Sequence, residues 1–137
     1  MKPKYLLDTN ICVFLLRGKY RVNEAIDRVG WEQCSISEIT ALELKIGAEL
    51  AERRDGLNRV DDLNRFLMAI NTVPISNALD LAAKEKVRLR LNGTPLDDDF
   101  DLLIGCTAIA NEMVLVTENL KDFKNLHGIR LENWIER

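Results

Sequence analysis

The sequence predicts an α/β fold, a central parallel β-sheet of about five strands flanked by α-helices on both faces. Three observations carry this prediction. Tyr5-Leu6-Leu7-Asp8 and Met113-Val114-Leu115-Val116-Thr117 are short apolar runs without polar alternation, the pattern of strands buried on both faces. Stretches with apolar residues at helical spacing lie between the strand candidates. Strands and helices therefore alternate, the order from which parallel sheets are wound.

In chain order, the run ending at Asp8 opens the sheet, and Asp8 directly precedes Thr9-Asn10 and a helix near residues 10–17 carrying Ile11, Phe14 and Leu15. A second helix is predicted near 21–29, followed by a weaker strand at Cys34-Ser35-Ile36. Ile39, Glu43, Ile46, Gly47 and Leu50 then share one helical face, with Glu38, Lys45, Glu49, Glu52 and Arg53 opposite. Val60, Leu63, Leu67 and Ile70 place a helix over 58–70, its stripe read as core, and Thr72-Val73-Pro74 follows as another weak strand. The helix over 78–91 carries Lys84, Lys86, Arg88 and Arg90 at i,i+4 spacing, read together with Glu85 as a hydrated face. A helix over 98–111 leads into the second strong strand, and Ile129-Arg130-Leu131 supplies the last.

Composition narrows the chemistry. The chain has 137 residues, 47% hydrophobic but only 6% aromatic, which fits one domain spanning residues 1–137 around an aliphatic core. Cys12, Cys34 and Cys106 are odd in number, lack C-x-x-C spacing and have apolar neighbours, so reduced thiols in a cytoplasmic protein are expected. No signal peptide fits the start, and no apolar run approaches a membrane span. His127 is the single histidine, which excludes two-histidine zinc motifs and any mechanism using a pair of imidazoles. With a net charge of −3, nucleic acid would have to be met by a local basic patch. Arg17, Lys19 and Arg21 are such a group, although a solvated turn is their plainer reading.

Catalysis, if present, must lean on carboxylates. Asp8 stands at the carboxyl end of a strand, the edge where open parallel sheets hold their ligands; the alternative is a simple helix N-cap. Glu43 interrupts an apolar stripe, where an unpaired charge costs several kcal/mol, so a positive partner or a metal is expected opposite it unless the helix is rotated. In Asp97-Asp98-Asp99-Phe100-Asp101 at least two acids complement a helix N-terminus, whereas Asp101 shares a face with Ile104, Gly105 and Ala108 and points inward. Thr117-Glu118-Asn119 ends the second strong strand as Asp8-Thr9-Asn10 ends the first. Three acids in one cleft repel one another unless a hard divalent cation such as Mg²⁺ or Mn²⁺ holds them, and metal-assisted phosphoryl chemistry is the natural use.

Five segments together resemble a known family: Leu6-Leu7-Asp8-Thr9-Asn10; Ser37-Glu38-Ile39-Thr40-Ala41-Leu42-Glu43-Leu44 with Gly47; Asp101-Leu102-Leu103-Ile104-Gly105-Cys106-Thr107-Ala108; Leu115-Val116-Thr117-Glu118-Asn119 with Asp122-Phe123; and Leu131-Glu132-Asn133-Trp134. In this order and spacing they look like PIN-domain ribonucleases of the VapC toxin type. The resemblance implies a PIN fold and a Mg²⁺- or Mn²⁺-dependent endoribonuclease, the toxin of a type II toxin–antitoxin system, cutting tRNA or ribosomal RNA to leave 5′-phosphate and 3′-hydroxyl ends. It also implies a homodimer and a VapB-type antitoxin through which alone operator DNA is bound. Asp8, Glu43 and Asp101 match the family's metal-holding acidic triad, and Thr117 the threonine that helps to place it. Asn119 matches a fourth polar position where many members carry Asp, a departure that removes one formal charge. Gly105-Cys106 replaces the small pair behind the third acid.

Two other functions fit the sequence less well. A phosphotransfer protein would need Asp-x-Asp after the first strand, or an acidic pair there with a lysine after a late strand; Asn10 and Thr117-Glu118-Asn119 supply neither. A catalytically silent PIN-like binding module is disfavoured by the three retained acids, while Asn119 keeps it open.

Overall fold

The computed structural model describes residues 2–137. Five strands, β1 (Tyr5–Leu7), β2 (Cys34–Ser37), β3 (Asn71–Val73), β4 (Val114–Val116) and β5 (Leu131–Glu132), form one sheet in the order β3-β2-β1-β4-β5. Every neighbouring pair is parallel, with Leu6 of β1 opposite Ser35 on one side and Leu115 on the other. Each strand expected from the sequence is present, with ends shifted by no more than two residues. Pro74, which has no N–H to offer a ladder, follows the end of edge strand β3.

The connecting helices are α1 (Thr9–Leu16), α2 (Val22–Val29), α3 (Glu38–Asp55), α4 (Val60–Ala69), α5 (Leu79–Leu91), α6 (Asp99–Ala110) and α7 (Leu120–Phe123). They cover both faces. Tyr5 and Leu7 pack with Ile11, Ile26, Leu44 and Leu63 of α1 to α4, whereas Leu6 packs on the other side with Ala82, Leu89, Ile104 and Phe123. Strand side chains alternate between faces, so both faces of β1 need apolar residues, and all three of its residues are buried. Cys12, Cys34 and Cys106 are free and buried, as expected. Burial pushes the Cys34 thiol up to about 11 and Cys106 to about 12, and raises Cys12 as well.

Two readings of helix faces need correction. On α3 the buried residues are Ile39, Thr40, Leu44 and Ala48, while Ile46 and Leu50 are 46% and 48% exposed and Gly47 is exposed. The helix carries two apolar lines at the same spacing, and the one through Leu44 and Ala48 faces the core. Glu43 consequently lies at the margin, half-buried, rather than inside. On α5, Glu85 is only 5% exposed and does not belong to a hydrated face. It accepts two hydrogen bonds from Arg88, at 2.7 and 2.9 Å, and one from the His127 N–H at 2.6 Å. This clasp ties α5 to the loop after α7, and Arg88 also donates to the Asn125 carbonyl at 2.8 Å.

The sheet order fixes where a ligand can sit. From β1 the chain moves outward to β2 and β3, then returns to the opposite side of β1 for β4 and β5. The loops leaving β1 and β4 therefore part in opposite directions and leave a crevice between them at the carboxyl edge.

Candidate active site

Asp8 stands in that crevice. It leaves β1 in extended conformation (φ −69°, ψ 162°) and caps α1, its Oδ1 accepting from the Thr9 N–H at 2.8 Å. Its other oxygen, Oδ2, accepts from the Thr117 hydroxyl at 2.7 Å. The N-cap reading holds, and the same side chain stands at the carboxyl edge of the sheet. Thr117 follows β4, is fully buried, and spends its proton on Asp8 while its oxygen accepts from the Asn119 N–H at 3.0 Å. Asn10 laces the same two turns together, accepting from the Glu118 N–H at 3.4 Å and donating to Thr117 Oγ1 at 3.5 Å.

Glu43 approaches from α3, where Ser37 caps the helix by accepting from the Thr40 N–H at 3.1 Å. The Thr9 hydroxyl donates to Glu43 Oε1 at 2.7 Å and lies 3.1 Å from Thr40 Oγ1. Asp8 and Glu43 are therefore joined through one residue: Thr9 gives its N–H to the first and its hydroxyl to the second. No Lys or Arg forms an ion pair with Glu43 among the described residues, and Arg17 and Arg59 are the basic residues that share a cavity with it.

Asp101 enters from the first turn of α6, which Asp98 caps by accepting from the N–H groups of Phe100 at 2.9 Å and Asp101 at 3.2 Å. Asp98 does what the helix N-terminus requires, and Asp99 is paired with Lys86. The Asp101 carboxyl is half-buried and pushed up to about 7, chiefly by burial, then by the charges of Asp98, Asp8, Asp122 and Glu43. Asp8 is raised too: burial outweighs the hydrogen bonds from Thr117 and Thr9, and Glu43 and Asp122 add to the rise. Acids from four segments thus feel one another at one edge of the sheet.

Two features of this cluster were not legible in the sequence. Asp122, on α7, acts on both Asp8 and Asp101, whereas the sequence offers it only within the Asp122-Phe123 pair of the family pattern and with no role at the site. Asn119 joins the network through its backbone, and its side chain makes no capping hydrogen bond to α7. The signal that could have found Asp122 is its place beside Phe123, an apolar anchor that fixes a short segment.

Oxygen-only donors, mutual repulsion and the absence of any pairing Lys or Arg among the described residues fit a hard divalent cation. Among those residues, no three Asp, Glu, His or Cys side chains stand close enough as placed to hold an ion together. Carboxylates without a counter-charge stay apart, and Thr9 and Thr117 already occupy oxygens of Asp8 and Glu43. Beside Glu43, a cavity of about 130 Å³ runs between α1, α3 and α4, lined by Val13, Leu16, Leu44 and Leu63 with Arg17 and Arg59 among its polar residues. Lys19 and Arg21 are exposed in the turn after α1.

Comparison with known proteins agrees with this architecture. The PIN domain family model matches residues 5–128. Ribonuclease VapC2 of Rickettsia felis is 30% identical over 135 residues, covering 95% of this chain and 97% of the relative. The tRNA(fMet)-specific endonuclease VapC of Salmonella typhimurium is 29% identical over 134 residues, covering 96% and 98% respectively. Among solved structures, DNA-bound VapBC from Salmonella typhimurium superposes with a TM-score of 0.83 at 30% identity, covering 96% of this chain and 98% of that one.

Proposed function

The chain belongs to the PIN-domain family, among its VapC ribonucleases, and on that footing we propose that it is a divalent-metal-dependent endoribonuclease, the toxin of a type II toxin–antitoxin pair. The observation that carries the reading is that Asp8, Glu43 and Asp101 stand at one edge of the sheet and none of them is in an ion pair with Lys or Arg among the described residues. These three would hold Mg²⁺ or Mn²⁺. When bound, the cation neutralises charge building at phosphorus and acidifies a water for in-line attack.

The protein's own work is to orient the acids. Thr117 and the Thr9 N–H fix both oxygens of Asp8, so that it meets a cation in one geometry. The Thr9 hydroxyl sets the position of Glu43. Asn119 supports Thr117 through its backbone N–H. No histidine need move a proton. Cleavage leaves 5′-phosphate and 3′-hydroxyl ends on a structured RNA, tRNA or ribosomal RNA, in the cytoplasm. The partners are a second copy of the chain and a VapB-type antitoxin, with operator DNA reached only through the latter; DNA is present in the Salmonella and Rickettsia VapBC structures.

The purified chain, freed of antitoxin, should cleave tRNA in Mg²⁺ or Mn²⁺ and not in EDTA. Asp8→Ala, Glu43→Gln and Asp101→Asn should each lower the rate by at least about 100-fold. Undiminished cleavage in EDTA would refute the mechanism.

A further inference from the structure

We infer that Arg137 is a positioning residue for RNA binding. It clamps the turn after α1 to the segment carrying Thr117, so that Arg17, Lys19 and Arg21 present a phosphate-binding edge to the substrate beside the crevice. The inference rests on the ribonuclease reading above and concerns a residue beyond the stretch that the family model matches.

The clamp is built from two directions. At β5 the Glu132 carbonyl accepts from the Thr117 N–H at 2.9 Å. The chain that follows is seated by Trp134, whose ring meets Tyr5 edge-on at 5.2 Å, and by buried Ile135. Two residues later Arg137 grips both oxygens of Glu118, donating from Nε at 2.7 Å and from Nη2 at 2.9 Å. Glu118 stands between Thr117 and Asn119, and its backbone N–H donates to Asn10. The same guanidinium lies over the Tyr20 ring, 5.1 Å from its centre, and Tyr20 packs edge-on against Phe14 of α1 at 4.8 Å. A planar fork serves the carboxylate with its edge and the aromatic ring with its face, which the point charge of a lysine does not reproduce.

The turn needs holding. Tyr20 and Arg21 are consecutive non-glycine residues in the left-handed region, with φ of 57° and 55°. Bulky side chains keep that conformation only where their surroundings impose it, and here the Tyr20 ring is held between Phe14 and Arg137. What the strained turn displays is charge. Arg17, Lys19 and Arg21 are exposed, and among the described residues none of them is in an ion pair, whereas Arg53, Arg65 and Arg88 all have carboxylate partners. Arg17 lines the cavity that also contains Glu43, and one length of α1, about 12 Å, separates it from Asp8. On a chain of net charge −3, unpaired cations at that distance can hold a polyanion without competing for the acids.

The test is steady-state cleavage of unfractionated tRNA in Mg²⁺ by the full chain freed of antitoxin, repeated at several KCl concentrations. Arg137→Gln should raise KM about tenfold with kcat little changed, and should reduce the slope of log KM against log [KCl] by at least about 1, because phosphate contacts are lost. Glu118→Gln should do the same, and the double variant should be no worse than either, since each breaks one clamp. Arg137→Lys should recover part of the affinity. Lys19→Gln removes a phosphate contact with the clamp intact and should flatten the slope as well. Arg53 pairs with Glu49 on α3, and Arg53→Gln should match wild type. If Arg137→Gln keeps the wild-type KM and slope while Asp8→Ala no longer cleaves, the positioning role is overturned and the ribonuclease reading stands. A raised KM with an unchanged salt slope overturns it by making the pair structural, and a fall in kcat alone overturns it by placing the effect on the acids. A wild-type chain that leaves tRNA intact, or cleaves it equally in EDTA, overturns both.

Discussion

Asp101 shows how one side chain reports the condition of the whole site. Its carboxyl is raised from an ordinary 3.8 to about 7, so the folded chain binds this proton more tightly than the unfolded chain does. The associated stability is fully present below about pH 4 and is lost as pH rises through about 7. In EDTA, wild type and Asp101→Asn should therefore melt alike near pH 4, and the variant should melt higher at pH 8. Thermal melts across that range check this, and parallel curves would count against the raised value. At this scale Asp8, Thr117 and Asp101 were readable because each ends a strand or opens a helix in a recognisable local pattern. Asp122 was not, since its membership depends on α7 resting on α6.

Among the elements, α7 has the least local information and the largest positional consequence. Four residues cannot display a helical period, so nothing in the sequence marked it as a helix. Its seat is Gly105, and Gly105→Val should cost about 2 kcal/mol by overpacking Leu126, lowering Tm by roughly 8 °C. The same variant should weaken Mn²⁺ binding, which a calorimetric titration would read. Helix α3 was misread for the opposite reason, a surplus of pattern: Ile46 and Leu50 repeat as regularly as Leu44 and Ala48, and periodicity cannot say which line faces inward. Glu85 escaped because its third hydrogen bond comes from His127, far along the chain and invisible to helical spacing.

For the molecule as a whole, β1 and β4 read plainly as doubly buried strands, and the observed order makes them neighbours and places the crevice between them. What the linear pattern lacked was the distance between the acids, which depends on three helices docking at once. The biological expectation belongs to this scale. Expressing the intact chain alone should arrest growth, Asp8→Ala should not, and co-expression of its cognate antitoxin should restore growth, all scored as colony-forming units. Growth unaffected by confirmed wild-type expression would argue against the toxin role.

The buried cysteines turn the fold into its own recorder. Cys12 lies in the helix after Asp8, Cys34 in the strand leading to the helix of Glu43, and Cys106 on the helix of Asp101. Shielded and held as thiols, they should ignore an aromatic disulfide reagent in the native state and yield colour only as each region opens. Peptide mapping of the modified sulfurs over time would then reveal which wall of the cleft loosens first, with no label introduced.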